Sequence, residues 1–297
     1  RSKQLSSTLD QVSQAMTEAN QVAMAALAGK LPEVYAENAN YSAFWMCKET
    51  GLAVSFDLVD PDTVQHMLTA GEALFMAPGV NVAKDKLWNR KLMASQLTQG
   101  VLLGESIPKM ARRVQRVTGS NYAAAVRTAR TAVTGAENAG RVHSYKRAKD
   151  MGIKLQKEWL ATLDGRTRHS HRQLDGQKIP NEEGAKFDNG CRYPGDPQGR
   201  YDEICNCRCT LVAAIEGVDA SDAERWSKLP DGMTYEEWKN ELAPKPQGNY
   251  RVGGHSKSLG AANLDLDKSF PEVRLPKKEY ASVMSAINAN YASLHEG

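Results

Sequence analysis

The chain changes its period once, at Gly152, and that switch limits the architectures open to it. Upstream, apolar residues recur at steps of three and four. Leu5, Leu9, Val12, Met16, Ala19, Ala23 and Ala26 form the seam of a helix of about 22 residues that should end near Gly29. Residues 31–60 alternate less clearly; a short hairpin is expected there, with LAVSFDLV as its strand and Cys47 as an inert core residue. Asp60-Pro61 opens a helix that buries Val64, Met67 and Leu68. A further helix should run from Lys84 to Leu103. A third follows, capped by the Ser106 hydroxyl, and a fourth, alanine-rich one runs from Ser120 to about Asp150.

Downstream the period is two. Ile153, Leu155, Trp159 and Leu163 read as a strand, Asp164-Gly165 as a turn and Leu174-Asp175-Gly176 as a second turn. Residues 181–190 are a polar loop, Pro194-Gly195-Asp196-Pro197 two turns in succession, and Ile204 to Ile215 the strongest strand. The fold class is therefore α+β: a mainly helical module over 1–150, then a small mixed α/β domain over 151–218. Residues 219–243 read as short acidic helices anchored by Trp226 and Trp238. Residues 244–297 read as a flexible linker and tail, with a last helix from Lys277 or Glu279 to Ala292.

With 297 residues, 41% hydrophobic and 25% charged, the chain can bury a sizeable core. No apolar run approaches the roughly 20 residues that span a bilayer and no leader pattern opens the sequence, so no membrane partner is expected. The net charge of +3 conceals an asymmetry: residues 84–158 hold sixteen Lys/Arg against five Asp/Glu. Lys109, Arg112, Arg113 and Arg116 lie within two helical turns, and Arg127 and Arg130 follow on the alanine-rich run. Such a face attracts phosphate or an acidic protein surface, or is simply solvated. Aromatic residues are sparse among these cations, which argues against a single-strand stacking platform.

Four of the five cysteines fall between Cys191 and Cys209, a count and clustering that favour a reduced compartment over a disulfide framework. If Cys205, Cys207 and Cys209 share one face of an extended strand, a rise of about 3.3 Å per residue puts the outer two roughly 13 Å apart, too far to hold one ion. An adjacent pair can share it. The candidate zinc ligands are His171, Cys205, Cys207 and Cys209, the thiols entering as Cys205 with Cys207 or as Cys207 with Cys209, with His169 or Cys191 as further donors. Thiol packing in a small core and a disulfide from Cys191 stay open beside zinc. Arg168 and Arg208 are expected to pair with Asp164 and Asp175. His171 with an aspartate and a thiol also resembles hydrolase parts, but no nucleophile elbow, phosphate loop or paired-carboxylate signature accompanies them, and no enzyme is expected.

The order Trp159, Asp164, Arg166, Thr167, Arg168, His171, Leu174, Asp175 and Gly176, then Pro-Gly-Asp-Pro at 194–197 and Asn-Cys-Arg-Cys at 206–209, resembles the tailed-phage head-morphogenesis family typified by protein F of phage Mu. The resemblance covers roughly residues 120–215. Members commonly carry Arg-Thr-Glu where this chain has Arg130-Thr131-Ala132. It implies a minor head protein of the virion, made in the host cytoplasm and placed at the portal vertex. The portal protein would be its partner, the major capsid protein a further one, and packaged double-stranded DNA a non-specific contact. Some similar proteins carry a further, often toxin-like, C-terminal module. A zinc-stabilised DNA-binding module and a His/Asp-dependent hydrolase are the alternative readings.

Overall fold

The computed structural model describes residues 2–243; the linker and last helix expected in 244–297 lie outside them. Helix α1 is Ser2–Thr50; it passes straight through Gly29, where the sequence suggested a stop, and through Pro32. Proline costs the helix one hydrogen bond. The turns beyond it offset that loss by burying Leu31, Tyr35, Ala36, Ala39, Ala43, Phe44, Met46 and Cys47 in the main core. Burial pushes the Cys47 thiol up to about 12, as befits an inert core cysteine.

The buried face in the first half of α1 is also rotated from the expected seam. Leu9, Ser13, Thr17 and Met24 are buried, while Val12, Ala19 and Ala23 face outward. Small polar residues sit in this contact: Thr17 donates to the Ser13 carbonyl at 2.8 Å, and the fully buried Asn89 donates to Thr17 at 3.4 Å. A hydrophobic pattern cannot register a face built from Ser and Thr.

Helix α2, Pro61–Thr69, begins where Asp60 caps the Thr63 amide at 2.7 Å. The segment before it is no ladder strand. Val54, Phe56 and Val59 are buried, but the side chain of Asn40 replaces a strand partner, accepting from the Val59 amide at 2.8 Å and donating to its carbonyl at 2.9 Å. Helix α3 is Val82–Leu102, capped by Asn81. The expected third and fourth helices are one, α4, Ile107–Asp150, of 44 residues. It starts after Ser106, whose hydroxyl makes no capping bond. Ser120, expected as a start, sits mid-helix and donates to the Arg116 carbonyl at 2.9 Å.

The sheet has three antiparallel strands in the order β2-β1-β3: β1 is Ile153–Leu160, β2 Lys178–Pro180 and β3 Thr210–Val218. Short helices α5 (His169–Gln173) and α6 (Tyr201–Ile204) join them, and α7 (Ala220–Ala223) and α8 (Tyr235–Glu237) follow. A π-helical turn over Trp238–Leu242 buries Trp238 against Phe44. One core runs through both parts, with Ala132, Ala136 and Ala139 of α4 in the same cluster as Trp159 and Leu211 of the sheet. No helix among the described residues is long and apolar enough to cross a membrane.

At the α1–α4 contact Tyr35 Oη lies 3.1 Å from His143 Nδ1. Burial, then the Arg147 and Lys146 cations, push His143 down to about 4. An unfolded histidine titrates near 6.5, so between those values the unfolded state binds the extra proton. Stability is therefore full above about pH 6.5 and falls as pH drops toward 4, by about 3 kcal/mol for this one group. In urea unfolding against pH, His143→Gln flattens this fall; an unchanged slope would show that other groups set it.

Candidate metal centre

Helix α5 and the segment after α6 bring three donors together. His171 Nδ1 lies 3.3 Å from Cys209 Sγ and 3.5 Å from Cys207 Sγ, and the three ligand atoms all sit within 4.8 Å of one another. All three residues are buried. A tetrahedral zinc with Zn–N and Zn–S bonds of their usual length needs roughly 3.5 Å between a ligating nitrogen and sulfur, which is the spacing found here. The donor types also suit that ion, two soft thiolates and an imidazole. This cluster can hold a metal ion.

The surroundings orient it. His171 Nε2 is 3.0 Å from Glu203 Oε2, so the ring donates its other N–H to a carboxylate and turns the Nδ1 lone pair toward the sulfurs. Ser170 and Asn189 hold Glu203 from two further sides. Trp159, fully buried, meets the His171 ring edge-on with centroids 5.1 Å apart. The Cys209 amide points at Cys207 Sγ from 3.4 Å. Between the thiols the proton stays on Cys207, pushed far up by its bond to the neighbouring sulfur and by burial. Cys209 is pulled down chiefly because it accepts that bond.

The approach of the cysteines is not that of a strand. β3 begins only at Thr210, and before it Asn206 adopts φ 57°, a left-handed kink that breaks any alternation from Cys205. Cys205 accordingly stays out of the group, its sulfur 3.4 Å from Tyr201 Oη. Cys191 is buried elsewhere, His169 is exposed, and all five cysteines are free thiols. Helix α4 sets the kink. Thr131 Oγ1 accepts from the Asn206 amide at 2.8 Å, Thr134 donates to the Cys207 carbonyl at 2.9 Å, and Asn138 Oδ1 accepts from the Leu211 amide at 2.8 Å. Thr131, Thr134 and Asn138, like Glu203, escaped the sequence reading. Their spacing of three and four on one face of an alanine-rich helix was the available signal.

The remaining motif residues brace this loop. Arg208 forms a two-pronged pair with Asp164, which holds that carboxyl well below the usual carboxylate range. Arg168 does not pair with an acid; it donates to the carbonyls of Asp202, Glu203 and Cys205, gathering the end of α6. Asp175 accepts from the Ala161 amide at 2.8 Å, and Gly176, at φ 75°, returns its amide to the Trp159 carbonyl at 2.8 Å. Ala132, where the resemblance leads one to expect an acid, is 1% exposed within the apolar core.

The six cations named as contact residues do not act alike. Lys109, Arg112 and Arg116 line one exposed groove with Glu105 and Gln115. Arg113 is taken up by a two-pronged pair with Glu105, at 2.6 and 2.9 Å. Arg127 and Arg130 lie about 16 to 32 Å further along α4, where Arg130 Nη1 donates to Asn206 Oδ1 at 2.6 Å beside the candidate metal cluster.

Comparison with known proteins matches residues 91–212 to the family described as Phage Mu protein F like protein. The chain is 32% identical over 216 residues to Minor head protein GP7 of Bacillus phage SPP1, covering 70% of this chain and 68% of that one. It is also 27% identical over 225 residues to NAD(+)--arginine ADP-ribosyltransferase EFV of Enterococcus faecalis, covering 71% of this chain and 45% of that one. It thus spans less than half of the latter's length. No solved structure matches significantly.

Proposed function

The chain belongs to the phage minor head protein family, and from that premise we propose that it is a structural component of the virion head, docked at the portal vertex through the α3–α4 hairpin. The observation that carries this is the hairpin tip. Val101, Leu102, Leu103 and Ile107 are each at least 69% exposed there, and Lys109, Arg112 and Arg116 stand beside them. A run of exposed large apolar residues rimmed by cations suits a protein surface with an apolar centre and an acidic edge. The portal protein is the partner that family membership favours, and the major capsid protein is the second. The same cations supply a salt-sensitive, non-specific contact to packaged duplex DNA.

Zinc is the ion we assign to His171, Cys207 and Cys209, in the role of a clamp on the loop between α6 and β3. A His/Asp-dependent hydrolase is the weaker reading, because His171 faces Glu203 while Asp164 is committed to Arg208. ADP-ribosyl transfer is named for one relative, of which this chain spans less than half, and is not carried over to this chain.

Capture of the co-expressed portal protein tests the docking. Leu102→Asp with Leu103→Asp should weaken it about tenfold or more, the loss of a buried apolar anchor. Lys109→Glu with Arg112→Glu should lower duplex affinity and its salt slope. Capture at wild-type strength by the doubly acidic tip would overturn the assignment of this face.

A further inference from the structure

The metal cluster is incomplete on one side. Its three donors come from α5 and the loop before β3, and among the described residues no fourth His, Cys, Asp or Glu atom joins them. They open instead onto a cavity of about 70 Å³ whose other walls include Arg130, Arg166, Arg168, Arg208, Thr167 and Asn206. Four guanidinium groups around one small space make it a place for negative charge. Three protein ligands with one position left open is the arrangement in which a metal takes an exogenous ligand.

The charge count agrees. A divalent ion with two thiolates and a neutral imidazole carries no net charge, so it imposes none of its own on the fourth ligand. The arginines then decide. Arg208 and Arg168 are engaged by Asp164 and by the α6 carbonyls. The bond found for Arg130 uses Nη1 alone, and Arg166, 83% exposed at its side chain, reaches Asp164 only at 3.9 Å. These two can turn donors to a guest. Size narrows the guest further: about 70 Å³ is small beside the roughly 300–1,000 Å³ of ordinary ligand pockets and suits one tetrahedral oxyanion.

We propose that the centre is a phosphate-binding site, in which the metal's fourth position takes one phosphate oxygen while Arg130 and Arg166 hold the others. It rests on the metal reading above and deepens it. The phosphate is either free inorganic phosphate or a phosphate of packaged DNA presented at the rim. In either case the site joins the structural clamp to an anionic ligand without any bond being broken.

Cobalt(II) in place of zinc makes the site visible, because its absorption reports thiolate ligation and coordination number. The reduced full chain should take up one cobalt with thiolate bands, and inorganic phosphate should then shift the visible bands saturably. Arg166→Gln, which leaves the buried cluster untouched, should bind cobalt as before and phosphate about tenfold more weakly, the loss of one charge-assisted hydrogen bond. Arg130→Gln should do the same or more. A short duplex is the second arm; bands that respond to DNA and not to inorganic phosphate would name the backbone as the source. Cobalt bound with bands indifferent to both would overturn the phosphate site and leave the metal standing. No cobalt uptake at all would overturn the metal reading and this inference together.

Discussion

Gly140→Ala should destabilise the protein by about 3 kcal/mol or more, the upper range for overpacking. An added Cβ would stand 2.2 Å from the Tyr35 carbonyl oxygen and 3.1 Å from the Ala39 amide nitrogen. Both are backbone atoms of α1, so no side chain can swing aside. Ala36, Ala39, Ala136 and Ala139 line the same contact, and Ser144 donates to the Ala39 carbonyl at 2.6 Å. The two long helices touch here backbone to backbone, and separating them would open the core on both sides. Gly119→Ala, on an outer face of the same helix with nothing within 4 Å, should instead gain up to about 1 kcal/mol from helix propensity. Urea unfolding of the two variants compares them directly. Equal shifts would show that α1 and α4 are not so close.

Removing the metal should be the second large effect. His171→Ala and Cys207→Ser should each abolish binding of one zinc per chain and lower the melting temperature. Wild-type protein treated with a chelator should melt close to the variants. With free zinc a thousandfold above its dissociation constant, the ion stabilises the fold by about 4 kcal/mol. The rest of the core survives its loss, so the variants should stay folded at room temperature, with the loop over 205–209 newly open to protease. Because the ligands must be deprotonated, zinc should also leave as pH falls. Zinc content near zero in reduced wild type, with thiols that react only after unfolding, would make the cluster a packed core.

The change of period at Gly152, the start of α2 at Asp60, and β1 with the turns at Asp164 and Leu174 were legible, because each is written in local chemistry: alternation, a capping carboxylate, a glycine after an aspartate; Leu163, expected in the strand, lies past its end and is exposed. His171, Cys207, Asp164 and Arg208 were legible as a group because their motif is compact. Helix ends are less legible. Gly29 and Pro32 weaken a helix locally, but whether it breaks depends on what the next turns bury, and Tyr35 and Ala39 lie against a helix a hundred residues away. Ser120 signals a start only when no helix already runs through it.

By itself the sequence determined the α+β class, the family resemblance, and that one stretch carries the thiols and the histidine. Only the tertiary structure decided which cysteines meet. Periodicity assigns side chains to faces as long as the backbone is regular, and at Asn206 it is not. Thr131, Thr134 and Asn138 of α4 impose the kink from outside the segment, so the pairing of Cys207 and Cys209 with His171, and the exclusion of Cys205, are properties of the packed helix rather than of the Cys-x-Cys spacing.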